Sequence, residues 1–257
     1  SFSFNVGIGS NFLALFVYYL ASPFHLFSLL VPESHLMEFM SYLIVLKIGL
    51  AGLTSYLYLK NHFGGAGAAD GGAVPEELWA SRRGNDVGAL FFSCFYALSG
   101  FMAAYNYNIM WVDCVVLLPL IVLGLERLVR EGRCGLYCVT LALSIFTNYY
   151  ISIMICIFLV LYFGLLLVTE RRGMRDICRR DVPRFALYSL LAGGMAAMLL
   201  VPEVCAILRT DFGDMDFPEK IESYFSILDM LARHCVCVYT ERGLDHWPNI
   251  YCGSAVL

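Results

Sequence analysis

The chain has 257 residues, 60% of them hydrophobic, with a formal net charge of -4 and a mean hydropathy of +0.71. Soluble domains carry about 45–50% apolar residues, so a soluble globular domain is excluded. The mildly acidic balance offers no basic footprint for nucleic acid.

What remains is an all-α, polytopic transmembrane helical bundle, a single membrane domain over 1–257. Ser1 is not preceded by Met, and no basic segment leads an apolar core, so no signal peptide is visible. Ser254–Leu257 reads as the start of another apolar run, so the chain is expected to be an internal fragment of a longer protein.

Ser1–Val31 is apolar but broken by Gly7, Gly9, Asn11, Ser22, Pro23 and His25, and it carries no Lys or Arg. Its aromatic rings suit short helices at the membrane interface. Met37–Leu59 is the first clear span, interrupted only by Lys47. Lys60–Asp86, rich in Gly and Ala and ending near Arg82 and Arg83, reads as a flexible linker.

Val87–Ala104 and Cys114–Leu128 form the next pair of spans. Between them lies Tyr105–Asp113, a turn at one membrane face that holds two amides, two phenols, an indole and a carboxylate. A turn that served only to reverse direction would use Gly, Ser and charged groups. This one has the makings of a wall for a polar ligand beside an apolar one.

No charged residue occurs from Leu136 to Val168. One helix over that run would be about 50 Å long, too much for a core of about 30 Å. Both flanks are basic (Arg127, Arg130 and Arg133 before, Arg171 and Arg172 after), and basic flanks stay on the cytoplasmic side. The run is therefore predicted to enter and return, as short arms with the apex at Thr147–Tyr150. Arg184–Leu200 crosses once more, and 203–249 follows as an extracytoplasmic loop. Placing 60–86, 126–135 and 169–184 in the cytoplasm puts no basic residue in the outer turns before residue 203. That topology has six crossings.

It also gathers Gly7–Asn11, Tyr105–Asp113 and Asn148–Tyr150 on one face. Asp113 is the only carboxylate among them, and a helix N-cap is its plainest role. Lys47 lies about twelve residues from either end of its span. A central lysine costs about 2.5–3.5 kcal/mol on insertion scales, so it demands a counter-charge, water or a ligand phosphate.

Glu126 and Arg127 are expected to snorkel to the interface. The arginines of 171–184 are expected to attract anionic membrane lipid. The five histidines show no ligand spacing, and no metal motif, phosphate loop or Ser/His/Asp order is present, so no cofactor is named. Most of the ten cysteines sit in apolar runs as small hydrophobes. Cys235 and Cys237 are too close to pair comfortably; a bridge from either to Cys205 or Cys252 stays open.

Several stretches resemble the YfhO family of bacterial membrane proteins. They are Gly7-Ile-Gly-Ser-Asn11 through Ser22-Pro23-Phe24, Lys47-Ile-Gly-Leu-Ala-Gly52, Asn108-Ile-Met-Trp-Val-Asp113, Asn148-Tyr-Tyr-Ile-Ser152 and Pro248-Asn-Ile-Tyr-Cys-Gly253. The resemblance runs over nearly the whole chain. It implies a GT-C-like fold and a multi-pass glycosyltransferase of the bacterial cell membrane, with its site on the extracytoplasmic face. The donor would be a polyprenyl-phosphate-sugar and the acceptor a cell-surface polymer such as lipoteichoic acid.

Such enzymes place a key acid in the first outer loop, which here would lie upstream of Ser1. Asp113 matches a supporting acid in the second. The residues suit this chemistry: Asp113 as base, Lys47 for phosphate charge, and Asn11, Asn106, Asn108, Trp111, Asn148 and Tyr149 for sugar hydroxyls and ring stacking. A lipid or polysaccharide transporter or flippase is the alternative, since a buried lysine suits it equally, although no internal repeat is evident. A non-catalytic membrane assembly protein is the third reading.

Overall fold

The computed structural model describes residues 2–3, 10–11, 21–64, 76–171, 173–207 and 226–232. Among these residues it is an all-α bundle apart from one two-residue ladder. There, β1 (Phe2–Ser3) pairs antiparallel with β2 (Ser10–Asn11). A 3-10 helix spans Pro23–Leu30, opened by the Ser22 hydroxyl, which accepts from the Phe24 N–H at 3.3 Å. Pro23 at its first position loses nothing by lacking an N–H.

Helix α1 is Leu36–Gly64, α2 is Glu76–Ala97 and α3 is Gly100–Tyr105. The segment expected to be a linker is thus helical at both ends; 65–75 lie outside the described residues. Next come α4 (Ile109–Arg130), α5 (Gly135–Thr147) and α6 (Tyr149–Thr169). A short turn, Met174–Asp176, and a π-helical turn, Ile177–Asp181, lead into α7 (Val182–Ile207). Helix α7 runs through Pro202, past the expected start of the outer loop at 203. Within that loop Ile227–Ala232 forms α8, and the remainder lies outside the described residues.

Polar contacts fix the direction of each helix. At one end Lys60 meets Asp86 at 3.2 Å, Arg127 meets Asn61 at 2.8 Å, and Arg130 meets Glu170 at 2.8 Å. At the other, Lys47 meets Asp113, and the Cys114 sulfur lies 3.7 Å from the carbonyl oxygen of Asn148. Helices α1, α4 and α6 therefore run one way, and α2, α5 and α7 run back. The 136–168 run does enter and return, with Asn148 at its apex and far from the arginines. Its arms are unequal, however. Helix α6 is long and apolar enough to cross a membrane, whereas α5 has 13 residues, about 20 Å.

Helix α4 is the buried centre, packed against α1, α5 and α6. Ile121, Leu125 and Leu128 of α4 meet Tyr137 and Leu141 of α5, Leu159 of α6 and Ala192 of α7 in one core. Gly124 allows the closest approach: a Cβ there would stand 2.5 Å from the backbone nitrogen of Tyr137. Outward faces carry Val45, Leu46, Val160, Leu161, Leu190 and Met198, exposed as lipid-facing side chains must be. Among the described residues, five helical segments are long and apolar enough to span a membrane.

Candidate functional site

The end of the bundle at Asn148 collects most of the residues singled out by the sequence. Lys47 projects from α1 into the first turn of α4, fully buried. Its Nζ lies 2.8 Å from Asp113 Oδ1 and donates to the carbonyl of Ile109 at 3.0 Å. The ring of Phe24 covers it, with the centroid 5.4 Å from Nζ. A lone lysine at this position would be expelled; the carboxylate, the carbonyl and the aromatic face hold it.

Asp113 does not cap its helix. Asn108 holds the N-cap position, and Asp113 sits one turn inside, 2% exposed. One carboxylate oxygen takes the ion pair, while Oδ2 is buried with no hydrogen-bond partner. Beside Asp113, Cys114 fastens α4 to the α5–α6 turn. Its sulfur lies within 3.7–3.8 Å of the Ser144 and Asn148 carbonyl oxygens and the Thr147 and Ser152 hydroxyls. Ser144 and Ser152 close the turn with a 2.8 Å hydroxyl contact.

Asn148, completely buried, separates α5 from α6 in an extended conformation. Its side-chain oxygen accepts from the Ile151 N–H at 3.0 Å, so the amide is oriented as an N-cap. The amide nitrogen Nδ2 is then left buried without a partner, and so is Nε1 of Trp111. The Trp111 ring lies between Tyr105 and Tyr150, at centroid distances of 6.1 and 6.2 Å.

One buried carboxylate oxygen and two buried N–H donors thus stand unmet around the start of α4 and α6. Buried polar atoms ordinarily find partners, so unmet ones clustered at one end mark a place where something polar belongs. An acceptor and two donors at the same end of the bundle suit a hydroxyl-bearing ligand, and the Tyr105, Trp111 and Tyr150 rings suit a ring.

Other candidates are placed differently. Asn106 turns its amide back on α3, donating to Met102 O at 2.8 Å and Ala103 O at 3.3 Å. Asn108 makes no side-chain cap bond. Tyr149 packs with Phe146 against Leu199 and Ala21. The side chain of Asn11 lies outside the described residues. Cys205 is a free, exposed thiol; Cys235, Cys237 and Cys252 lie outside the described residues. Cys114 was not anticipated, because a cysteine does not stand out by type in an apolar run.

The opposite end overturns one expectation. Glu126 does not snorkel: it is 2% exposed and turned inward. It accepts from Tyr162 at 2.6 Å and Tyr58 at 3.2 Å, and it pairs with His62 Nδ1 at 2.8 Å and Arg130 at 3.1 Å. His62, to which the sequence assigned nothing, is one of its partners. Among the described residues no group of three or more His, Cys, Asp or Glu is placed to hold a metal.

A family model described as "Bacterial membrane protein YfhO" matches residues 1–70 and 76–257. No curated protein and no solved structure matches the chain.

Proposed function

For a chain that belongs to the YfhO family of bacterial membrane proteins, we propose a membrane glycosyltransferase. It moves a sugar from a polyprenyl-phosphate carrier to a cell-surface polymer such as lipoteichoic acid, on the extracytoplasmic face. The observation that carries this reading is the buried Lys47–Asp113 pair with its free carboxylate oxygen. A base must be ionised and within reach of the acceptor hydroxyl. Lys47 holds the Asp113 charge, and Oδ2 is the oxygen left to accept a proton. The hydroxyl oxygen then bonds the anomeric carbon as the bond to phosphate breaks, and the phosphate leaves with the electron pair. Asn148 Nδ2 and Trp111 Nε1 are the donors available to sugar oxygens.

The same pair supports a second reading, a latch between α1 and α4 that takes no part in transfer. Lys47→Met and Lys47→Arg, assayed for polymer glycosylation in cells lacking the native protein, separate the two. Transfer should vanish in Lys47→Met. It should fall only partly in Lys47→Arg, whose charge sits on a bulkier planar fork. Wild-type transfer in Lys47→Met at equal expression removes Lys47 from the mechanism and leaves the latch.

A further inference from the structure

A second polar feature lies at the arginine end. An open cavity of about 370 Å³ is lined by Arg179, Arg180, Pro183, Arg184, Leu187 and Tyr188. The sequence folds it locally. The π-helical turn Ile177–Asp181 carries Arg179 and Arg180, and α7 continues with Arg184 four residues beyond Arg180, on the same face. Leu187 and Tyr188 follow one turn later, so cations at the helix start give way to apolar side chains deeper along it.

Three observations distinguish this from a merely solvated basic run. First, no carboxylate among the described residues lies within ion-pairing distance of Arg179, Arg180 or Arg184; Glu131 and Glu170 are engaged by Arg133 and Arg130. Asp181, adjacent in sequence and 3% exposed, makes no ion pair with them. Second, Nη1 of Arg184 is buried without a hydrogen-bond partner. Third, the α4–α5 turn yields to that guanidinium. Gly132 sits at φ 75°, and a Cβ there would come within 3.0 Å of Arg184 Nη1 and 4.0 Å of Arg180 Nη2. Only glycine takes that backbone conformation at little cost while leaving the space open.

We propose that this cavity is a binding site for a phosphate-bearing headgroup, supplied by an anionic membrane lipid. Guanidinium forks match phosphate oxygens in geometry and charge. Pro183, Leu187 and Tyr188 then offer apolar surface to the glycerol and the first methylenes of the chains. The site is separate from the Lys47–Asp113 end and does not depend on the chemistry proposed there.

The test uses the protein reconstituted with phosphatidylglycerol or phosphatidylcholine, with lipid retention read by native mass spectrometry. Phosphatidylglycerol should be retained about tenfold over phosphatidylcholine. Arg184→Gln should lower that preference about fivefold, and the pair Arg179→Gln/Arg180→Gln should abolish it. Arg184→Lys, which keeps the charge without the fork, should lie between. Phosphatidylcholine retention should stay unchanged in all variants, which reports an intact fold. Equal retention of the two lipids by the wild type would overturn the proposal without any variant, as would unaltered preference in the glutamine variants. Inorganic phosphate is the remaining arm. If it displaces phosphatidylglycerol at millimolar concentration, the cavity takes a soluble phosphate and the lipid assignment falls.

Discussion

The two ends of α4 handle a buried carboxylate in opposite ways. Glu126 has its charge met by four side chains from three helices, and Arg130 is braced in turn by Glu170. Asp113 has one cation, one free oxygen, and two unmet donors nearby in Asn148 and Trp111. A fully satisfied network rigidifies and specifies a core, whereas a partly satisfied one holds a standing cost that a ligand can relieve. The saturated end therefore reads as scaffold and the unsaturated end as site, although both carboxylates are equally buried.

The largest effect should come from Lys47→Met. It strands Asp113 in the bundle, and removing one partner of a buried pair costs about 3–5 kcal/mol. The double variant Lys47→Met/Asp113→Leu removes both charges and should recover most of that stability, since well-packed apolar replacements are often neutral. Thermal unfolding in detergent measures the recovery, and polymer glycosylation should remain absent in both. A double variant that regains both stability and transfer would make the pair a latch and break the contrast.

Glu126→Ala comes next. It leaves Tyr58, Tyr162 and His62 without their acceptor, at a cost near the lower end of the same range. Arg130 is partly exposed and keeps Glu170, which softens the loss. The expected result is a lowered unfolding temperature with transfer per folded molecule unchanged. Should transfer fall while stability holds, the scaffold assignment of this end fails.

How much of this was legible beforehand follows from what each signal depends on. The turn at Asn148 was readable because charge is sparse in membranes: an uncharged run with basic flanks at both ends has to return. That Lys47 needs a counter-charge, water or a ligand was readable for a related reason, since a charge at depth demands a partner; that Asp113 supplies it is visible only in the packing of α1 on α4. Glu126 was misread because a carboxylate near a helix end looks the same whether it snorkels or turns inward. Its partners Tyr58 and His62 lie on α1 and Tyr162 on α6, and only packing brings them together. Asn106 failed for the opposite reason: its amide found carbonyls on its own helix, an option that always competes with a ligand.

Tyr162→Phe is a milder probe of the saturated end. It removes a 2.6 Å hydrogen bond to Glu126 while leaving Tyr58, His62 and Arg130 in place. A loss of about 1 kcal/mol is expected, the usual worth of one such bond, read again as an unfolding midpoint in detergent. A loss several times larger would mean that the four contacts act as a unit, which would sharpen the scaffold reading.

The smallest stability change belongs to Asn148→Ser, and it separates the two roles of that side chain. Oδ1 caps α6 through the Ile151 N–H, whereas Nδ2 has no partner. Serine and asparagine are comparable N-caps, so the helix start should keep its stability to within about 0.5 kcal/mol. The orphan donor disappears with the amide. If Nδ2 serves only as part of the cap, nothing else should change. If it meets a sugar or phosphate oxygen, the variant loses a hydrogen bond worth about 1–1.5 kcal/mol to the bound substrate. Transfer at limiting donor should then fall about tenfold while the unfolding temperature stays put. Asn148→Ala is the companion: it removes cap and donor together, and should add about 1 kcal/mol of destabilisation to the same loss of transfer. Unaltered transfer in Asn148→Ser would show that the unmet donor at this end is incidental, and the contrast between the two ends of α4 would no longer locate a site.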